Sequence, residues 1–182
     1  MKITKRWLEK HDACKEGIDW FLDQKETDSD KLIKLSIRTK DHLDWANWLI
    51  VRTMNPKQNV MYSFFAAEQV IDVFEERYPN DNRPRKAINA AKAYIKNPCK
   101  KTEAAVDSAY AAAYTAFGVD SAYAAVDSAY AAAYTADIAD IAYAAYEAAA
   151  YAASYAGIKL LTKTLKYGLK ITKRRGDNGK VS

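Results

Sequence analysis

The feature that most constrains this chain is a stretch made almost entirely of alanine and tyrosine, at residues 104–156. One segment, AVDSAYAAAYTA, occurs twice without change, at residues 105–116 and 125–136. Alanine is the best helix former because it loses no side-chain entropy, and the tyrosines recur at the three- or four-residue spacing of a helical face. The period-two alternation that a strand needs is absent. This stretch, called the Ala/Tyr array below, therefore predicts helices.

The length of the repeat predicts a break inside the Ala/Tyr array. The two copies are offset by 20 residues, which at about 100° per residue leaves them about 160° apart on one straight helix. Gly118 lies between the copies and can end a helix, with Asp120 or Ser121 as the cap of the next. We predict two or three helices, broken near Gly118 and ending near Gly157.

The rest of the chain predicts further helices, so the expected fold class is all-α. Five N-terminal helices are predicted, with the Ala/Tyr helices and a basic C-terminal helix packed onto them. The segment 31–37 could also be a strand, but the chain offers it no convincing partner strand. The predicted N-terminal helices run from a cap at Thr4 to Leu22, then over residues 31–37, from a cap at Asp41 to 54, over 57–78, and over 81–97.

The domain boundaries follow from these elements and from the charge. We predict a helical N-terminal part at residues 1–100, the Ala/Tyr region of the same domain at 101–157, a basic amphipathic helix at 158–172, and a disordered tail at 173–182. Residues 101–158 carry seven acids and one lysine, a net −6, whereas residues 159–182 carry eight bases and one acid, a net +7. Such polarity favours charged partners.

Composition narrows the class of protein. The sequence has no run of 18 apolar residues, and its first residues are charged, so we expect neither a membrane span nor a signal peptide. Cys14 and Cys99 are far apart, which favours a reducing cytoplasm over a disulfide scaffold. The sequence contains no glycine loop for phosphate. His11, Asp12 and Cys14 could form part of a metal site, but no fourth ligand is evident, and Cys14 is expected in the core. We predict a protein that is not an enzyme and has no metal or cofactor.

A cluster of cations marks the start of the predicted helix at residues 81–97. Arg83, Arg85 and Lys86 lie at a helix N-terminus, where backbone N–H groups favour anions. Two arginines there could clamp a carboxylate or phosphate, such as that of a nucleotide signal. The alternative is an ion pair of Asp81 with arginine that only fixes the loop.

The C-terminal segment predicts a basic amphipathic helix. Its lysines fall at helical spacing opposite a row of leucines, so they should form one stripe. The stripe could contact nucleic acid, a membrane surface or an acidic partner, or remain a solvated face. The candidate nucleic-acid contacts are Lys163, Lys166, Lys170, Lys173, Arg174 and Arg175.

One block of the sequence resembles a known family. The block YPNDNRPRKAINAAKAYIKNP at residues 78–98, the upstream set Trp45, Trp48, Leu49 and Arg52, and the Ala/Tyr array resemble the Imm-5 like putative immunity protein family, over roughly residues 5–157. The resemblance implies a small helical protein of bacteria or phages that binds and neutralises a toxin. It brings no catalytic motif with it.

Together with the residues, the resemblance favours a non-enzymatic protein that acts by stoichiometric binding. It would block a toxin or, as a phage counter-defence protein, a component of the host defence. The alternatives are a sponge for an anionic nucleotide signal and a nucleic-acid-binding protein acting through the basic stripe. We also expect a homo-oligomer, because exposed Ala/Tyr faces favour self-association. The predicted partner contacts are the acids and tyrosines of the Ala/Tyr array: Asp107, Tyr110, Tyr114, Asp120, Tyr123, Asp127, Tyr130 and Tyr134.

Overall fold

The computed structural model describes residues 1–97 and 141–173, and the regular elements in these two ranges are helices. The all-α prediction is therefore confirmed, and the ambiguous segment at residues 31–37 lies within a helix. One isolated antiparallel bridge joins Lys2 to Asp28. The helices are α1 (Lys5–Lys10), α2 (Lys15–Asp23), α3 (Ser29–Thr39), α4 (Leu43–Thr53), α5 (Pro56–Glu68), α6 (Ile71–Arg77), α7 (Arg83–Lys96) and α8 (Ile141–Lys173).

The first predicted helix is wrong in one respect, because the chain forms two helices there. The predicted cap is present, since the Thr4 side chain accepts a hydrogen bond from the Trp7 N–H at 3.1 Å. The chain then turns at Asp12, whose φ of 56° is left-handed, and α2 restarts where Cys14 Sγ accepts from the Gly17 N–H at 3.4 Å. Because Cys14 serves as this cap, it is exposed rather than in the core as predicted.

The predicted helix at residues 57–78 is also two helices. A capping box begins α5, in which Asn55 and Gln58 exchange backbone and side-chain hydrogen bonds at 2.8 and 3.0 Å. The break comes at Gln69 and Val70, whose N–H groups bond to carbonyls three residues back instead of four. This tighter turn lets Val70 and the next residue, Ile71, both be fully buried. The N-terminal part thus has seven helices rather than five.

The start of α4 differs from the prediction as well. The N-cap is His42, in the left-handed region with a φ of 50°, and not Asp41. Asp41 instead accepts a hydrogen bond from the His42 N–H at 3.0 Å. The imidazole of His42 stacks on Trp45 with ring centroids 4.1 Å apart, which supports the unusual backbone conformation.

The core lies where α4, α5 and α8 meet, and α8 makes its most extensive contacts with α5 and then with α4. Gly168 on α8 allows this approach, because a methyl group there would lie 2.5 Å from Ile50 Cδ1 and 2.8 Å from Tyr62 Cε2. The Phe65 and Tyr167 rings stack across the same interface at 4.1 Å. The α8 helix is therefore the element against which α5 and α4 pack.

The α8 helix has two parts, separated where the chain leaves helical geometry at Gly157, with φ 74° and ψ −171°. The first part is the end of the Ala/Tyr array, and its alanines Ala148, Ala149 and Ala152 are fully buried. The second part is the basic segment, which buries Leu165 and its leucine neighbours. The predicted break near Gly118 lies outside the described residues, as does the predicted disordered tail beyond Lys173.

Candidate functional site

Most of the predicted partner-binding surface falls outside the described residues. This applies to Arg174 and Arg175 of the basic stripe and to the whole predicted contact set of the Ala/Tyr array. That set consists of Asp107, Tyr110, Tyr114, Asp120, Tyr123, Asp127, Tyr130 and Tyr134.

The predicted anion site at the start of α7 is built around ion pairs within the chain. Arg83 donates from Nε to Asp81 Oδ1 at 2.8 Å, and its Nη2 binds Asp81 Oδ2. The Arg83 backbone N–H also donates to Asp81 Oδ1. These hydrogen bonds lower the pKa of the Asp81 carboxyl below its usual value. The arrangement matches the alternative in which an Asp–Arg pair fixes the loop before α7.

Arg85 is engaged by acids of the preceding helix. Its Nε and Nη2 donate to the two carboxylate oxygens of Glu75 at 2.7 and 2.6 Å, and Nη2 also reaches Asp72 at 2.7 Å. The bidentate bond from Arg85 lowers the pKa of Glu75 and raises that of the guanidinium. An incoming nucleotide phosphate would have to displace these carboxylates. Arg85 thus ties α7 to α6.

The three predicted anion ligands do not line a common pocket. An open hollow of about 580 Å³ lies beside the loop and is lined by residues 77–83, so it includes Arg83. Neither Arg85 nor the exposed Lys86 lines it. The arginines here act on neighbouring carboxylates, and the geometry that would clamp one anion between them is not formed.

The basic stripe does face the solvent over its described length. Lys163, Lys166, Lys170 and Lys173 are exposed on α8, while Leu165 and Leu169 on the other side are buried. The Lys163 ammonium donates a hydrogen bond to Gln69 Oε1, in the turn after α5. It also lies 5.9 Å from the centroid of the Phe65 ring on α5. The stripe is an exposed row of cations held on a firmly packed helix.

A site that the sequence did not predict lies between α1, α2, α3 and α4. These helices enclose a cavity of about 340 Å³, called the tryptophan cavity below. Its walls combine buried aliphatic side chains with three tryptophans and a few polar groups. The lining residues are Ile3, Leu8, Asp12, Ala13, Cys14, Gly17, Trp20, Phe21, Leu32, Ile33, Ser36, Asp44, Trp45, Ala46, Trp48 and Leu49.

The aromatic side chains at the tryptophan cavity form two groups of contacting rings. Trp20 meets Trp45 edge to face at 6.0 Å, and Trp7 meets Trp48 in the same way at 6.2 Å. His42 stacks on Trp45, and His11 stacks on Trp7 at 4.0 Å. The Arg52 guanidinium covers the Trp48 ring at 4.2 Å. These contacts hold the rings in fixed positions around the cavity.

The polar groups of the tryptophan cavity are mainly acidic. Asp12 and Asp44 both line it and are exposed, and neither carboxylate forms an ion pair within the described part of the chain. Ser36 contributes a hydroxyl and is only 2% exposed. The cavity therefore joins an acidic, solvent-accessible part to an apolar, aromatic interior.

Two sequence signals could have indicated this site. All four tryptophans of the chain lie within its first 48 residues, and each histidine follows or precedes a tryptophan by one helical turn. Such spacing places His11 on Trp7 and His42 on Trp45. The meeting of α1 and α2 with α4 could not be inferred, because it depends on the turn at Asp12.

The described residues also bear on metal binding and on membrane insertion. Within residues 1–97 and 141–173, no group of three or more His, Cys, Asp or Glu side chains is placed to hold a metal ion. Among the helices of these same ranges, none combines the length and the apolar character that crossing a membrane requires.

Comparison with known proteins gives one match. The model of the Imm-5 like putative immunity protein family matches residues 50–171, about two thirds of the chain. No curated protein and no solved structure matches it. The match begins inside α4 and includes the basic part of α8, whereas the resemblance in the sequence covers roughly residues 5–157. The chain belongs to the Imm-5 like putative immunity protein family.

Proposed function

We propose that this protein is a non-enzymatic binding protein that neutralises a toxin or a defence protein by occupying its surface. The observation that carries the proposal is the family match over residues 50–171, which includes the whole Ala/Tyr array. The partner would bind the acidic and tyrosine side chains of that array in the cytoplasm. A net charge of −6 over residues 101–158 suits a basic target, such as a nuclease.

The packing of α8 supports this choice of surface. Ala148, Ala149 and Ala152 anchor the end of the Ala/Tyr array, because they are fully buried. Alanine faces let helix axes approach closely and leave the neighbouring tyrosines to provide contact area with a polar tip. A binding surface attached to a rigid core loses less conformational entropy when a partner docks.

The proposal is tested by capture followed by charge neutralisation. Tagged protein is used to isolate a partner from host lysate treated with nuclease, and a one-to-one complex is then reconstituted from purified components. Replacing Asp107, Asp120 and Asp127 together by asparagine should weaken that complex by at least tenfold and remove protection of cells that express the partner. Asparagine keeps the side-chain size, so the loss would report charge.

A matched control distinguishes the effect of removing charge from this surface from the effect of removing negative charge anywhere on the protein. Glu16→Gln, Asp19→Asn and Asp23→Asn remove the same number of charges from exposed positions of α2. This control should bind and protect like the unchanged protein. Equal protection by both triple variants would refute the Ala/Tyr array as the contact surface.

The exposed basic stripe favours a second candidate, binding of nucleic acid. Four exposed lysines on one face of α8 can follow a phosphate backbone. Affinity for a DNA or RNA duplex should then fall steeply as salt is raised, by about 10³-fold or more between low and moderate salt if six phosphates are contacted. Replacing Lys163, Lys166 and Lys170 by glutamine should remove about half of that salt dependence, and an unchanged slope would rule the stripe out.

A further inference from the structure

We propose that the tryptophan cavity is a binding site for a small organic cation, an alkylammonium ion of the choline type. This inference is separate from the immunity function. The cavity is lined by residues that precede residue 50, outside the range matched by the family model. Its failure would therefore leave the proposed toxin binding untouched, and the reverse also holds.

The aromatic content of the cavity is the first ground for a cation. Trp20, Trp45 and Trp48 line it, and tryptophan is the side chain that attracts a cation most strongly through the negative face of its ring. The Arg52 guanidinium, 4.2 Å from the Trp48 ring centroid, is already a contact of this kind. Several tryptophans held around one space are the arrangement that recognises quaternary ammonium groups.

The charge of the cavity is the second, independent ground. Asp12 and Asp44 are the charged side chains among its lining residues, and neither forms an ion pair in the part of the chain that the structure describes. The chain as a whole carries a net +5, so two unpaired acids at one cavity are a local exception. An anionic ligand would be repelled here, whereas a cation would be attracted by both carboxylates.

The size and the remaining polar group narrow the ligand class. A cavity of about 340 Å³ lies at the lower end of the range for small-molecule sites. Ser36, which is only 2% exposed, also lines the cavity and carries a hydroxyl group. A ligand that combines an ammonium group with a hydroxyl can meet the tryptophans, the acids and Ser36 together.

The experiment compares choline with 3,3-dimethyl-1-butanol, which has the same shape and hydroxyl group but no charge. Binding to the full chain is followed by calorimetry and by tryptophan fluorescence. The fluorescence reports on this site because Trp20, Trp45 and Trp48 line the cavity and Trp7 contacts Trp48. We expect choline to bind at least tenfold more tightly than the neutral alcohol. Equal binding of the two compounds, or binding of neither, would overturn the proposal.

Variants then assign the binding to the cavity. Asp12→Asn with Asp44→Asn should weaken choline binding by about tenfold or more, and asparagine tolerates the left-handed backbone at Asp12. Asp19→Asn, on the exposed face of α2 and away from the cavity, should leave it unchanged. Choline affinity that is equal in the double variant and the control would overturn the assignment.

Two further measurements test the contribution of the tryptophan ring and the identity of the ligand. Trp45→Phe retains an aromatic wall with a weaker ring quadrupole and should reduce choline affinity with an unchanged circular dichroism spectrum. A capped lysine amide is offered in competition with choline. If it binds more tightly than choline, the cavity receives a side chain of a protein partner, and the proposal of a free organic cation is overturned.

Discussion

Two regions of the molecule are packed differently. Around Gly168, helices α4, α5 and α8 approach so closely that one added methyl group would lie 2.5 Å from Ile50. Helices α1–α4, in contrast, leave a cavity of about 340 Å³ between them. Both regions bury apolar side chains, but the first uses glycine and alanine where the second uses tryptophan. Small side chains allow close axes with few gaps, while large rigid rings leave space wherever their shapes do not interlock.

The contrast bears on function, because an unfilled cavity costs stability that denser packing would have supplied. The side chains that Gly168 approaches, on Ile50, Met54 and Tyr62, lie within the residues matched by the family model, and the walls of the tryptophan cavity precede them. The close packing around Gly168 therefore falls in the part of the chain that the family model covers, and the space for a ligand falls in the part before it.

Overpacking should produce the largest difference between the two regions. Ala66→Leu adds three carbons on α5, where Ala66 is fully buried in the core, and should cost about 3 kcal/mol of the free energy of unfolding. Ala46→Leu makes the same change beside the tryptophan cavity and should be neutral or stabilising, because the cavity can accept it. Urea unfolding of both variants measures the difference, and equal losses would refute the contrast.

A smaller test uses two helical glycines. Gly168→Ala should cost about 1–2 kcal/mol net, since the rigid Tyr62 ring is 2.8 Å from the new methyl group and the gain in helix propensity offsets only part of the clash. Gly17→Ala, on the wall of the cavity, meets Cys14 Sγ at 3.2 Å and should change the free energy of unfolding by less than about 0.5 kcal/mol. Thermal melts should place the Gly168 variant clearly lower.

The buried polar contact of the dense region should have an intermediate effect. Tyr62 is fully buried and donates its hydroxyl to Asn47 Oδ1 at 2.8 Å. Tyr62→Phe should cost about 1 kcal/mol. Burial raises the pKa of Tyr62 above its ordinary value, so the neutral phenol stabilises the fold below about pH 10, and this contribution is lost as the pH rises further. The phenylalanine variant should lose less stability than the parent protein between neutral and strongly alkaline pH.

The surface ion pairs of α6 and α7 should have the smallest effect. Arg85→Gln removes the bonds to Glu75 and Asp72 and should cost at most about 1 kcal/mol at neutral pH. Because the pKa of Glu75 is lowered in the folded protein, this contribution is present above about pH 4 and disappears as the pH falls further. Lys86→Gln, at an exposed position of the same helix, is the control. It should leave the free energy of unfolding unchanged both at neutral pH and below about pH 4.

Local interactions explain which parts of the fold could be predicted. The helical class, the cap at Thr4 and the start of the helix predicted over residues 81–97 depend on residues a few positions apart, and the sequence displays them directly. The breaks at Asp12 and at Gln69–Val70 could not be predicted. Each preserves the apolar pattern on both sides, and each is favoured by burial of residues distant in the chain.

The candidate sites divide in the same way. The basic stripe on α8 could be predicted because a helical period of 3.6 residues is enough to align Lys163, Lys166 and Lys170. The pairing of Arg85 with Glu75 could not, since it depends on how α6 is placed against α7. The tryptophan cavity needed four separate helices to converge.

The sequence by itself determined the all-α class, the family and the separation of acidic from basic segments, because these depend on composition, propensity and short spacings. The tertiary structure alone decided that helices pack closely at Gly168, that the arginines at α7 bind neighbouring carboxylates, and that Asp12 and Asp44 share a cavity with three tryptophans. These features arise from contacts between side chains far apart in sequence, whose free energy is fixed only when the helices pack together.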